Sequence, residues 1–314
     1  MSAIHVVTGA GPVGSTIALQ LADAGSRVRL LTRSGSGPEH ALIERRRVDV
    51  SRADQLDPAF EGAAVIHHCI HGSAYDARTW RAELPAAEQA VLAAAGRNGA
   101  VVVFPESLYS YGPVDGPMTE DLPRAATGGK LGVRTDLLAQ REASATPTVS
   151  VAASDFYGPR VRTAHAGERL IPTVLAGKTM RVVGSLDQPH SWTYVPDLAA
   201  AMIKAADSPE LWNSFLHAPT APAVTQRELI EQVAATAGVE VPKMSAVPVW
   251  TMKAIGVVSR STRELAETGY MFDRPFVLDS SASEARLGLS PTPLESGLEE
   301  TVAYWREDAA RTRG

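Results

Sequence analysis

The sequence predicts an α/β protein: a doubly wound parallel sheet followed by a smaller, less regular α/β lobe. Three observations carry this. Short apolar runs alternate with helix-spaced apolar positions through the first half, the pattern of a parallel sheet covered on both faces. The first run leads into Gly9-Ala10-Gly11-Pro12-Val13-Gly14, a glycine-bracketed turn from which a helix opens. After about residue 155 the rhythm breaks, as Gly158, Pro159, Pro172, Gly177, Gly184, Pro189 and Pro196 crowd in and the elements shorten.

Taken in order, strands are expected at residues 4–7, 28–31, 48–50, 64–69, 100–104 and 148–152, each a compact apolar run. The first helix starts at Pro12, whose fixed φ suits a first turn. It carries Val13, Ile17 and Leu21 on one face and stops near Gly25. Further helices are expected at 80–95 and 131–143, and in the second half at 197–206, 225–237 and 294–305.

The chain has 314 residues, 45% hydrophobic and 21% charged, enough for one large domain and a smaller partner. A net charge of −5 offers no basic surface for nucleic acid. No apolar run reaches membrane-spanning length, and the first residues lack the basic start of a secretory signal. One cysteine, Cys69, excludes an internal disulfide and a cysteine-rich zinc site. A soluble, cytoplasmic protein with no membrane partner is expected. His67, His68 and His71 cluster, but neighbouring strand residues point to opposite faces, so no metal site is expected.

The glycine turn suits a dinucleotide. Gly9 permits the tight bend, Gly11 lets backbone N–H groups approach a pyrophosphate, and Gly14 allows close packing of helix on strand. Pro12 and Val13 open the helix whose N-terminus attracts the anion. The second strand ends Leu31-Thr32-Arg33-Ser34, with no carboxylate to bind a ribose 2′-hydroxyl. Arg33, with Ser34 beside it, suits a 2′-phosphate instead, so NADP is favoured over NAD. Residues 1–155 are thus expected to form a Rossmann NAD(P)-binding domain. Residues 156–314 are expected to form mainly the substrate-binding lobe, with some segments returning to the first domain.

Several motifs in order resemble the extended and atypical short-chain dehydrogenases/reductases, the NAD-dependent epimerase/dehydratase group. The glycine turn resembles that group's TGxxGxxG, one residue shorter. Arg45-Arg46-Arg47-Val48-Asp49-Val50 matches the segment whose Asp lies beside adenine, and the strand ending at Cys69 matches one bordering the cofactor. Ser107-Leu108-Tyr109-Ser110-Tyr111-Gly112 matches the catalytic Ser motif. Asp155-Phe156-Tyr157-Gly158-Pro159, the run from His190 through Trp192 to Asp197, and Leu287-Gly288-Leu289-Ser290-Pro291 match three further motifs. The resemblance implies cofactor contacts at Asp49, Val50 and Cys69, and a substrate site at Ser107, Asp155, His190 and Trp192. It also implies a homodimer built from the helices at 80–95 and 131–143.

The group's Tyr-x-x-x-Lys is missing. Lys130 falls where Tyr is expected and Arg134 where Lys is expected. Three readings stay open: Lys130 is the proton donor, Tyr109 or Tyr111 supplies the phenol, or no acid–base chemistry occurs. In each, Arg134 is a fixed cation able to contact the cofactor. Asp155 replaces an Asn, and His190 replaces an Arg that grips a diphosphate in nucleotide-sugar enzymes. A non-phosphorylated carbonyl or hydroxy compound is therefore the expected substrate. The leading expectation is an NADP-dependent oxidoreductase or epimerase, and the alternative is a catalytically inactive NAD(P)-binding sensor or regulator.

Overall fold

The computed structural model describes residues 4–313. Its first half runs β1 (Ile4–Thr8), α1 (Pro12–Asp23), β2 (Val28–Thr32), β3 (Ile43–Arg47), α2 (Ala53–Phe60), β4 (Ala63–His68), α3 (Ala77–Arg97), β5 (Val101–Ser107), α4 (Gly129–Glu142) and β6 (Thr148–Ala153). There follow β7 (Asp155–Tyr157), α5 (Ile171–Leu175), β8 (Met180–Val183), β9 (Pro189–His190), β10 (Trp192–Tyr194), α6 (Val195–Ala206) and β11 (Ser214–His217). The chain ends with β12 (Val224–Thr225), α7 (Gln226–Ala237), β13 (Met244–Val247), α8 (Val249–Gly256), α9 (Arg260–Glu267), α10 (Tyr270–Asp273), α11 (Ser281–Leu287) and α12 (Leu294–Arg313).

Seven strands make one sheet in the order β11-β6-β5-β4-β1-β2-β3, every adjacent pair parallel. The order reverses between β1 and β4, and ligands of open α/β sheets lie at the carboxyl ends beside such a reversal. One face buries Val7, Leu30, Val103 and Val151 against α1 and α6. The other buries Val6, Ile66 and Phe104 against α2 and α3. The small lobe has its own core around Tyr157, Ile171, Trp192, Leu229 and Phe272. β11 and α6 lie beyond residue 155 in sequence yet complete the sheet and its cover.

The third strand departs from expectation. It is Ile43-Glu44-Arg45-Arg46-Arg47, not residues 48–50. It is the sheet's outer strand and pairs only with β2, so its charged side chains stay in water and no apolar run marks it. Val50 is buried in the core near Leu56 and Phe60 while its backbone has left the sheet. Helix boundaries also move. α3 begins earlier because Asp76 caps it, accepting from the Thr79 N–H at 3.0 Å. α12 runs on past residue 305 to Arg313. The two helices expected at a dimer seam, α3 and α4, pack on each other within one chain, their outward surfaces carrying Arg81, Gln89 and Asp136.

A buried ion network ties α3 and α4 to the sheet. Arg141 donates to Glu88 Oε1 and Oε2 at 2.7 and 2.8 Å, to Glu106 Oε2 at 2.7 Å and to Ser150 Oγ at 3.0 Å. Its guanidinium lies 3.9 Å over the Phe104 ring. Burial pushes the Glu88 carboxyl up, but Arg141 outweighs this and holds it low. Arg141→Met leaves Glu88 without its buried cation and Glu106 with Arg134 alone. It is predicted to lower the unfolding free energy by about 3–5 kcal/mol in urea titration. A loss under about 1 kcal/mol would show that the network does not hold helix to sheet.

Candidate active site

The strand–helix turn is fixed by bare backbone. Gly9 has φ +87°, and a Cβ on it would lie 2.9 Å from the Cys69 carbonyl. A Cβ on Gly14 would lie 2.1 Å from the Gly9 carbonyl, so only glycine lets α1 sit on the turn. A Cβ on Gly11 would meet no atom within 4 Å, which marks the turn's open side. No side chain caps α1, and Pro12 stands at its first turn, followed by buried Val13. The N–H groups of that turn therefore face outward for an anion. Cys69 closes the back of the bend: its N–H donates to the Thr8 carbonyl at 3.0 Å, and burial pushes its thiol pKa well up. The residues present fit a dinucleotide diphosphate, because a cradle that any larger residue would fill lies at an uncapped helix start.

Beyond β2 lies a cavity of about 340 Å³ lined by Arg33, Arg47, Asp49 and Gln55. Among the described residues, neither arginine makes an ion pair. Asp49 is held below the usual carboxylate range, first by the Ser51 hydroxyl, and Arg33 adds to this. Its N–H donates to Gln55 at 2.9 Å, while Ser34 and Ser36 share a hydroxyl contact at 2.6 Å. Val50, expected beside the cofactor, has its side chain in the core instead.

At the carboxyl ends of β4 and β5 the chain gathers aromatic and hydroxyl groups. Ser107 ends β5 half-buried, its Oγ 3.3 Å from Glu106 Oε1. One turn on, Tyr109 stacks over Trp80 with ring centres 6.3 Å apart. The Tyr109 and Tyr75 hydroxyls lie 2.6 Å apart. Burial, foremost, raises both phenol pKa values, so both stay protonated at neutral pH. Tyr111, the other phenol considered, faces the small lobe: its hydroxyl donates to the Thr119 carbonyl at 2.9 Å and meets His217 at 2.8 Å.

The two cations of α4 diverge. Lys130 is fully buried, and its Nζ donates to Glu264 Oε2 at 2.8 Å, the Glu264 carbonyl at 2.7 Å and Glu267 Oε2 at 2.6 Å. An ammonium has three N–H donors, and those three acceptors account for them. The same Nζ lies 4.8 Å from the centre of the Tyr75 ring. Arg134 lies 5.0 Å over the Trp80 ring, and its Nε, 3.5 Å from Glu106, makes no hydrogen bond. His71 packs edge-on against Trp80 at 4.5 Å.

In the small lobe, His190 Nε2 lies 2.8 Å from Asp155 Oδ2 and its Nδ1 3.1 Å from the Met271 carbonyl. Both ring nitrogens are therefore occupied. Burial pushes the Asp155 carboxyl up, but the His190 bond and the nearby His165 outweigh this and keep it low. His190 is itself buried, stacked on Phe272 at 4.7 Å and tilted against Trp192 at 4.4 Å. Trp192 is buried behind it, with its indole N–H on the Val224 carbonyl at 3.2 Å. Among the described residues, no three His, Cys, Asp or Glu side chains converge as metal ligands do. Tyr75, Arg47, Glu264 and Glu267 escaped the sequence reading. Tyr75 lies in an unpatterned loop, and the two glutamates lie more than 130 residues from the lysine they hold.

The model for the NAD dependent epimerase/dehydratase family matches residues 5–214. No curated protein matches the sequence. Among solved structures, WbmH from Bordetella bronchiseptica in complex with NAD+ is 19% identical, covering 98% of this chain and 99% of its own, with a TM-score of 0.76. UDP-glucuronic acid 4-epimerase from Bacillus cereus in complex with NAD is 19% identical over 97% of this chain and 99% of its own, at 0.77. UDP-glucose 4-epimerase from Thermotoga maritima with UDP-glucose is 17% identical over 98% and 99%, also at 0.77. At such identities the likeness establishes the fold.

Two buried histidines of β4 make stability depend on pH. Burial drives His67 and His68 down to about 3 and about 4, from 6.5 when exposed. The unfolded chain therefore binds protons that the folded chain refuses. Stability is full above pH 6.5 and declines as pH falls toward about 4. The urea midpoint is predicted to drop between pH 7.5 and pH 5, and His68→Gln to shallow that slope. A midpoint unchanged over this range contradicts the reading.

Proposed function

The chain belongs to the NAD dependent epimerase/dehydratase family, and from that premise we propose an NADP-dependent oxidoreductase or epimerase acting on a non-phosphorylated carbonyl or hydroxy compound. The observation that carries the chemistry is the hydroxyl pair Tyr75–Tyr109, the latter two residues after Ser107. The cavity with Arg33 and Arg47 supports NADP, since two unpaired guanidiniums suit a 2′-phosphate and a lone 2′-hydroxyl needs neither. The bound nicotinamide supplies or accepts the hydride.

The chain's own residues supply the rest. Ser107 hydrogen-bonds the substrate oxygen at the end of β5. Tyr109, kept protonated by burial, releases its proton to that oxygen. Tyr75, 39% exposed, returns a proton from water across the 2.6 Å contact. Lys130 acts by position: its ion pairs hold α9 beside Tyr75, and its ammonium lies against the Tyr75 ring. Arg134 lies along the same wall, over the Trp80 ring and beside Glu106.

The structural neighbours with 4-epimerase names bind sugar nucleotides or their cofactor. Asp155 argues for a different substrate here. Its carboxylate is held low and takes up His190, so this part of the site offers a diphosphate no free cation.

With NADPH and a panel of small carbonyl compounds, Tyr109→Phe and Ser107→Ala are each predicted to cut kcat by about 10²–10⁴-fold. Wild-type rates in both variants remove these residues from the mechanism. Tight cofactor binding without turnover on the whole panel moves the reading to a non-catalytic sensor. Arg33→Ala is predicted to weaken NADPH about 10–100-fold while leaving NADH within about twofold. Equal losses for both coenzymes contradict a 2′-phosphate site.

A further inference from the structure

One projection of the small lobe is unlike the rest of the surface. Among the described residues seven large hydrophobic side chains are exposed, and five of them (Trp250, Ile255, Val257, Val258 and Leu265) belong to the α8–α9 hairpin. The turn itself is Val257-Val258, 78% and 88% exposed. It is held out firmly. The helices touch at Gly256, where a Cβ would lie 2.9 Å from the Arg263 Cα, and Ser259 caps α9. An aliphatic tip so exposed favours burial when a partner exists.

The charges on the hairpin are sorted. Residues 249–263 contain Lys253, Arg260 and Arg263 and no Asp or Glu, in a chain of net charge −5. The acidic residues that follow, Glu264 and Glu267, turn inward onto Lys130 at 2.8 and 2.6 Å. Arg260 pairs with Asp76 at 2.7 Å yet stays half-exposed, while Lys253 and Arg263 are open to solvent. The outward face therefore joins a tryptophan, branched aliphatics and cations only. A second copy presents the same positive tip and is repelled. A protruding apolar point ringed by Trp, Lys and Arg complements a sheet of anionic headgroups over hydrocarbon.

We propose that the α8–α9 hairpin docks this protein on anionic lipid membranes, inserting Val257 and Val258 with Trp250 at the interface. This is peripheral contact, since no described helix is long and apolar enough to cross a membrane. It revises the expectation of no membrane partner, which rested on the lack of a span and of a secretory start, and it does not rest on the reaction proposed above.

The full chain is sedimented with phosphatidylcholine vesicles with and without phosphatidylserine. Binding to the serine-containing vesicles, falling as salt is raised, is expected. Lys253→Gln is expected to weaken partition about fivefold, and Val257→Glu/Val258→Glu to abolish it with thermal unfolding unchanged. A blue shift of fluorescence on vesicle addition, absent in Trp250→Phe, places the indole at the interface. Failure to sediment, equal binding to both vesicles, or an unaffected double-glutamate variant overturns the proposal. So does light scattering that shows copies paired through the tip, with dissociation in the variant and no vesicle binding.

Discussion

The contact of Gly14 on the Gly9 carbonyl is the constraint from which the site follows. It brings α1 down onto the end of β1 with no side chain between them, so the helix start opens onto the carboxyl edge of the sheet. A diphosphate gripped there lies where the strand order reverses. The cavity lined by Arg33 and Arg47 lies beyond β2 on one side of that reversal, and the ends of β4 and β5 lie on the other. The sheet order makes these two sides parts of one site, although they come from separate stretches of chain.

Helix α4 joins the sheet to the small lobe through its first turn. Its start faces the small lobe, where a buried ammonium and two half-buried carboxylates form a clasp between lobes. Breaking one partner of such a buried group leaves an uncompensated charge, so the clasp specifies the position of α9 more than it adds net stability. Farther along, Arg134 and Arg141 share Glu106 from opposite sides, which fixes the strand end that carries Ser107. The carboxyl end of β5 is thus braced by charge on one side and by the Trp80–Tyr109 stack on the other.

The parallel sheet was legible because its inner strands are buried on both faces and read as apolar runs. The glycine turn was legible because each glycine has its own steric reason. β3 was not, since an outer strand tolerates Glu44 and three arginines and leaves no periodic trace. Arg47 stayed hidden for the same reason, although the matching cation, Arg33, was marked by a missing carboxylate. The ion pairs of Lys130 were not legible because its partners lie on α9, and local spacing carries no information about so distant a pair. Tyr75 comes to Tyr109 only through the fold of the loop after β4.

Every role along the cleft depends on what the glycine cradle holds. Calorimetric titration of the folded full chain with NADPH and with NADH tests this most directly. One site per chain, with NADPH at least about tenfold the tighter ligand, is the predicted result. Absence of binding heat for both coenzymes across a range of temperatures would contradict it, and with it the role given to every residue along the cleft.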